Sequence, residues 1–107
     1  MRCYFMLTYS VHQSAPNSQR AEESADFVRN KIAEFKREWD KVDQIETTFT
    51  GVMAVTGTNE TDRKADARNQ IRAKIKPILK EVPESYRPTV NVALMIEDNG
   101  NFIEFEV

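Results

Sequence analysis

Three residues that could take part in catalysis lie close together in the stretch LTYSVHQ: Tyr9, Ser10 and His12. An imidazole titrates near neutral pH, so His12 can act as a general base toward a ribose hydroxyl. No Gly-x-Ser-x-Gly motif surrounds Ser10, and neither an acid partner for His12 nor a second histidine is apparent. The set is therefore incomplete, and a histidine on a surface loop is the simpler interpretation.

A run of basic residues in the second half of the chain could neutralise phosphates. The run consists of Arg63, Lys64, Arg68, Arg72, Lys74, Lys76 and Lys80, of which Arg63, Lys64, Arg68, Arg72 and Lys76 are the candidate nucleic-acid-binding residues. Arg68 and Arg72 are one helical turn apart, which predicts a basic ridge along a helix. Glu60, Asp62 and Asp66 are interspersed, however, and no aromatic residues alternate with the basic ones to stack on bases. Two interpretations stay open: a solvated helix face, which these acidic residues favour, and a nucleic-acid surface.

Metal and cofactor motifs are missing from the sequence. Glu97, Asp98, Glu104 and Glu106 lack the spacing of a calcium loop, and the three glycines form no phosphate-binding run. Cys3 is the single cysteine and is expected to be a buried strand residue. We therefore predict no metal and no cofactor.

Composition indicates one domain, residues 1–107, of an ordinary globular protein. Hydrophobic residues make up 40% of the 107 and charged residues 30%, and the net charge of -2 provides no overall attraction to nucleic acid. The first apolar run is too short for a signal peptide, and no stretch reaches membrane-spanning length. The expected location is the cytoplasm.

The first half of the chain predicts a strand and then a long helix. Odd residues from Cys3 to Val11 are apolar, which is typical of a strand with one buried face. A polar loop follows, in which Asn17 or Ser18 can cap a helix. The apolar stripe of this helix, about six turns long, is Ala21, Ala25, Val28, Ile32, Phe35, Trp39 and Val42.

The second half predicts an extended segment, a helix and a hairpin. Residues 44–57 form either one bent strand or a tight hairpin, because Gly51 leaves the shape open. The next helix is capped by Thr58 or Asn59 and is kinked or broken near Lys76 by Pro77. Its buried face is Ala67, Ile71, Ile75 and Ile78. An Asn99-Gly100 turn would then pair Ile96 with Ile103, Leu94 with Phe105 and Val92 with Val107.

This order predicts an α+β fold, a ferredoxin-like two-layer α/β sandwich with an antiparallel or mixed sheet, two helices on one face and a C-terminal hairpin. The other face of the sheet would then carry apolar residues without a cover. Those expected at a dimer or partner interface are Tyr4, Met6, Thr8, Met95 and Phe102. A homodimer through this face is the leading expectation, and a partly solvated face on a monomer is the alternative.

The first strand FMLTYSV and the segment QIETTFTG resemble the small CRISPR adaptation subunit and its ferredoxin-like relatives, the VapD-type ribonucleases and the GhoS-type antitoxin endoribonuclease. The resemblance implies a dimer that holds a divalent metal with an aspartate after the tyrosine of the first strand. Ser10 stands at that position here, and a neutral hydroxyl is a poor ligand for a hard cation. Metal-dependent cleavage at this site is therefore not expected.

Two functions follow as expectations. The first is a small dimeric interaction module that binds a protein or nucleic-acid partner; the resemblance places it in bacterial or phage defence, counter-defence or toxin–antitoxin biology. The alternative is an endoribonuclease acting on single-stranded RNA, with Tyr9, Ser10 and His12 as its catalytic edge and Arg68 or Arg72 on the phosphate.

Overall fold

The first strand, β1 (Arg2–His12), runs through the centre of the sheet and alternates strictly between buried and exposed side chains. The computed structural model describes all residues from Met1 to Val107. The other elements are α1 (Gln19–Ala33), β2 (Asp40–Lys41), β3 (Thr48–Ala54), α2 (Glu60–Leu79), β4 (Thr89–Ile96) and β5 (Ile103–Glu106), with short 3-10 helices at Glu34–Arg37 and Glu84–Tyr86.

The five strands form one sheet in the order β2-β3-β1-β4-β5, and every neighbouring pair is antiparallel. The odd residues of β1 join apolar residues of both helices in one cluster of 22 buried side chains. Cys3 belongs to this cluster, as predicted. The chain is therefore an α+β protein in which two helices cover one face of an antiparallel sheet, and this part of the predicted fold is confirmed.

The first helix is shorter than the apolar stripe predicts. Ser18 accepts a hydrogen bond from the Ala21 amide and caps α1, but the helix ends at Ala33. The chain then tightens into the 3-10 turn, and the strand β2 begins at Asp40. Phe35 and Trp39 still pack on the core, with their ring centroids 5.2 Å apart. The change of helix type lets the stripe stay buried while the chain turns back toward the sheet.

Residues 44–57 contain one strand rather than a tight hairpin. β3 pairs with β1 from Thr48 to Ala54, without interruption at Gly51. The reason lies on the covered side, where a Cβ at Gly51 would be 2.8 Å from the Phe5 ring and 3.1 Å from the Trp39 ring. Gly51 thus makes room for two aromatic side chains.

The second helix begins as predicted and continues further than predicted. The Asn59 side chain accepts a hydrogen bond of 2.8 Å from the Asp62 amide, and the four predicted core residues are all buried. Of the kink or break expected near Lys76, the break is wrong, because α2 runs on to Leu79 with Pro77 inside it. Pro77 lies so close to the end of the helix that few hydrogen bonds depend on it.

The C-terminal hairpin has a register two residues away from the predicted one. Leu94 lies opposite Ile103, and Val92 lies opposite Phe105. Asn99 is buried instead of lying at the tip of a two-residue turn: it accepts a hydrogen bond of 2.7 Å from Arg63 Nε and donates one of 2.8 Å to the Glu97 carbonyl. The shift by two keeps the same residues on the same face. No helix of the structure has the length and apolar character needed to cross a membrane.

Candidate functional site

One face of the sheet is packed against the helices, and we call the other one the open face. The even residues of β1 point to it, and the strand register places further side chains beside them. Residues of the open face include Arg2, Tyr4, Met6, Thr8, Ser10, His12, Asp40, Thr50, Val52, Asn91, Ala93, Met95, Phe102, Glu104 and Glu106. No element of the chain lies over this face.

Large apolar side chains cluster at one end of the open face. We call this cluster the apolar patch: Tyr4, Met6, Val52, Met95 and Phe102, which are exposed by 67%, 47%, 40%, 51% and 52%. Met6 lies opposite Met95, and Tyr4 lies opposite Val52. The β4–β5 register, extended by one residue, brings Phe102 next to Met95. Thr8 lies on the same face, two residues beyond Met6 along β1, and its hydroxyl is 3.5 Å from that of Thr47.

A shallow cleft of about 550 Å³ lies over this patch, and carboxylates border it. Asp40 borders it on the β2 side, and Glu97 and Asp98 border it where β4 ends. The Glu97 carboxylate accepts a hydrogen bond of 3.2 Å from the Tyr4 amide, which holds it at the rim. Sequence reasoning did not include Val52 or the rim carboxylates in the site. Val52 was missed because the sequence did not show whether the chain forms one strand or a hairpin at Gly51, and the face to which Val52 points depends on that choice.

The open face is acidic as a whole. Asp40, Glu97, Asp98, Glu104 and Glu106 are all exposed on it or at its border. Arg2 is the only Lys or Arg of the strands on this side, because Lys41 lies opposite the buried Phe49. The rest of the chain holds more Lys and Arg than Asp and Glu, since the net charge of the whole chain is only -2.

The three residues considered for catalysis lie on opposite faces of β1. Ser10 Oγ and His12 Nε2 share a hydrogen bond of 3.1 Å on the open face. Tyr9 is 6% exposed on the covered face, and its ring stacks on Phe49 with a centroid distance of 6.2 Å. Burial raises the pKa of Tyr9 above its ordinary value of 10.0; the nearby Glu46 charge raises it too, and Arg29 partly opposes both. Tyr9 therefore stays protonated at neutral pH and points away from the Ser10–His12 pair.

Most of the predicted basic ridge on α2 is engaged within the chain. Arg63 donates to Asn99, and Lys64 Nζ is 2.9 Å from a Glu60 carboxylate oxygen. Arg72 donates to the Glu106 carbonyl at the outer edge of the sheet, and its guanidinium lies 5.3 Å from the centroid of the Phe105 ring.

Arg68 and Lys76 are the remaining members of the ridge. Arg68 has a buried Nε without a hydrogen-bond partner, and Lys76 is exposed near the end of α2. Three of the five basic side chains are therefore held by partners within the chain, although only Lys64 is paired with a carboxylate and Arg63 and Arg72 keep their charge.

A second cleft, of about 460 Å³, lies on the open face toward the C-terminal end of β1. Thr8, Ser10 and Asn91 line it with the carboxylates Glu104 and Glu106, so its character is polar and acidic. No group of three or more His, Cys, Asp or Glu side chains is arranged to hold a metal ion.

No family model, no curated protein and no solved structure matches this chain. Its function is therefore inferred from the geometry and charge of the two faces of the sheet. The covered face is accounted for by the core, whereas the open face has no structural partner within the chain.

Proposed function

We propose that this protein is a non-catalytic interaction module whose open face binds another polypeptide. The observation that carries the proposal is the apolar patch, in which five large apolar side chains are each at least 40% exposed on one side of the sheet. Single apolar residues on a surface are ordinary, but a contiguous group of this kind is typical of an interaction site. Covering it removes apolar surface from water, which favours binding.

We also propose that the fold is ferredoxin-like with β5 as an added strand. The element order β-α-β-β-α-β up to β4, with β1 and β3 adjacent in the centre, supports this. The sequence resemblance stated above adds a biological setting to the proposal: a cytoplasmic protein of bacterial or phage defence, counter-defence or toxin–antitoxin systems. Two occupants of the open face fit the module, a second copy of the chain and a different protein.

Site-specific photo-crosslinking in cells tests the interaction module. A photoreactive phenylalanine analogue replaces Met95, which is in the patch, or Lys36, which is exposed on the helix side as a matched control. We expect discrete adducts from position 95 and none from position 36. An adduct of twice the chain mass identifies a homodimer, and one of another mass identifies a different polypeptide. If position 95 forms no adduct above the control, the proposal is wrong.

The second candidate is an endoribonuclease, and one observation favours it: the structure brings Ser10 Oγ and His12 Nε2 within 3.1 Å on an exposed surface. The carboxylates Glu104 and Glu106 in the adjacent cleft would repel RNA phosphates, and Arg72 of α2 contacts β5, which is two strands from β1. Incubation with single-stranded RNA tests it, with and without magnesium or manganese. Cleavage that is lost in His12→Ala would establish the nuclease, and intact RNA would exclude it.

A further inference from the structure

We propose that the occupant of the apolar patch is a basic amphipathic helix, with apolar residues along one side and Lys or Arg on the flanks of that side. This inference rests on the interaction module proposed above and names the chemistry of its partner. It follows from the distribution of charge around the cleft.

The register of the sheet places carboxylates on two sides of Tyr4 and Met6, with Asp40 on β2 and Glu97 and Asp98 at the end of β4. Asp40 lies opposite Thr50, Thr50 opposite Met6, and Met6 opposite Met95, so these four residues form one row across the strands. With strands about 4.8 Å apart, Asp40 is about 14 Å from Met95 in this row. Glu97 follows Met95 by two residues and lies beside Tyr4, whose carbonyl accepts a hydrogen bond of 2.9 Å from the Glu97 amide, and Asp98 borders the same cleft.

A helix fits the space between these two acidic sides. An α-helix with its side chains is about 10–12 Å wide, which is slightly less than the width of the row. Its apolar side would lie on Tyr4, Met6 and Met95, as in other complexes that hold an amphipathic helix in a groove. Lys or Arg on both flanks would then meet Asp40 on one side and Glu97 on the other.

The same charges disfavour the other occupants of the patch. A second copy would bring its own acidic rim against this one, and only Arg2 is present among the strand residues of the open face to offset the repulsion. Nucleic acid would place phosphates against carboxylates. The Glu97 carboxylate is held at the rim by the Tyr4 amide, so it cannot easily withdraw from an approaching anion.

Binding of two matched synthetic helices tests the inference. Both peptides carry leucines along one side; one has lysines on the flanks and the other has glutamates at the same positions. Fluorescence anisotropy with the full chain measures their affinities at low and high salt. We expect the lysine peptide to bind at least about tenfold more tightly than the glutamate peptide, and expect this difference to shrink as salt screens the rim.

Neutral variants of the rim provide the matched comparison. The triple variant Asp40→Asn, Glu97→Gln, Asp98→Asn should weaken binding of the lysine peptide about tenfold. A control triple variant, Glu22→Gln, Glu23→Gln, Asp26→Asn, removes three exposed carboxylates from α1 and should leave binding unchanged. Both triple variants should unfold at the same denaturant concentration as the parent chain, because all six side chains are exposed.

The outcomes separate this inference from the proposed function. If both peptides bind equally and Met95→Asp abolishes both, the basic partner is wrong and the interaction module stands. The inference is also overturned if sedimentation at low salt shows a dimer that Met95→Asp dissociates, since the patch then holds a second copy. If the lysine peptide binds and the uncharged substitution Met95→Ser does not weaken it, the patch is not the binding site and both proposals fail.

Discussion

The two faces of β1 differ in their surroundings far more than in their residue types. Leu7 is 2% exposed on the covered face, while its neighbour Met6 is 47% exposed on the open face. Both side chains are large and apolar, and both belong to the same strand. Leu7 is covered by the helix layer, whereas nothing in the chain covers Met6.

This difference shows which apolar residues the fold uses and which it leaves available. Burial of apolar surface contributes about 25 cal/mol per Å², so the covered face provides much of the folding free energy. The apolar side chains of the open face provide such a favourable free energy only when another molecule covers them. Residues of the open face should therefore matter for assembly, and residues of the covered face for stability.

Truncation of neighbouring residues on β1 gives the largest expected contrast. We expect Leu7→Ala to lower the free energy of unfolding by about 2–5 kcal/mol, because it leaves a cavity in a closely packed cluster. Met6→Ala should lower it by less than about 1 kcal/mol, because the side chain is exposed. Urea unfolding of both variants, monitored by the fluorescence of Trp39, measures the two values.

The same pair of variants can overturn the comparison. If Met6→Ala costs as much as Leu7→Ala, the open face is covered in the purified protein. Repeating the unfolding at several protein concentrations identifies the cover, because only self-association makes the midpoint depend on concentration.

A smaller effect is expected at the loop that borders the apolar patch. Asn99 connects this loop to the helix layer through Arg63, and it is 1% exposed. Asn99→Ala leaves the Arg63 Nε without its acceptor, so we expect a loss of about 1–3 kcal/mol in the free energy of unfolding. Asn101→Ala, in the same loop but exposed, should cost much less. Equal losses would show that the connection to α2 does not stabilise the loop.

Periodicity in the sequence predicted most elements of the fold, and its failures have a common cause. The alternation in β1 and the stripe Ala67, Ile71, Ile75 and Ile78 of α2 appear in the structure as predicted. The hairpin register was wrong by two residues, because a shift of two leaves every side chain on the same face. The end of α1 was missed because an apolar stripe continues through a 3-10 turn as well as through a helix.

The candidate site was predictable to the extent that it depends on alternation. Tyr4, Met6, Thr8 and Met95 share a face because they occupy paired positions on adjacent strands. The hydrogen-bond partners of the basic ridge were not predictable, because they are distant in the sequence. Asn99 is 36 residues from Arg63, and Glu106 is 34 residues from Arg72. Only the folded chain brings these groups together.

The smallest predicted effect compares two tyrosines on opposite faces of the strand. Burial raises the pKa of Tyr9, so the folded state holds this proton more tightly than the unfolded state does. The protonated Tyr9 therefore makes its full contribution to the free energy of unfolding below about pH 10, the ordinary tyrosine pKa. This contribution is lost as the pH rises from there through the folded-state pKa. Tyr9→Phe removes this titration, and the free energy of unfolding should fall less steeply above pH 10 than in the parent chain.

Tyr4→Phe provides the control on the open face, where the tyrosine is 67% exposed. Its unfolding profile should keep the full alkaline decline of the parent chain, because an exposed phenol titrates in nearly the same way before and after unfolding. Urea unfolding at a series of alkaline pH values compares the three proteins. If Tyr9→Phe and Tyr4→Phe decline equally, the Tyr9 hydroxyl is in contact with water. The covered face would then be open to solvent at this end of β1, and the contrast between the two faces would be limited to the residues from Cys3 to Leu7.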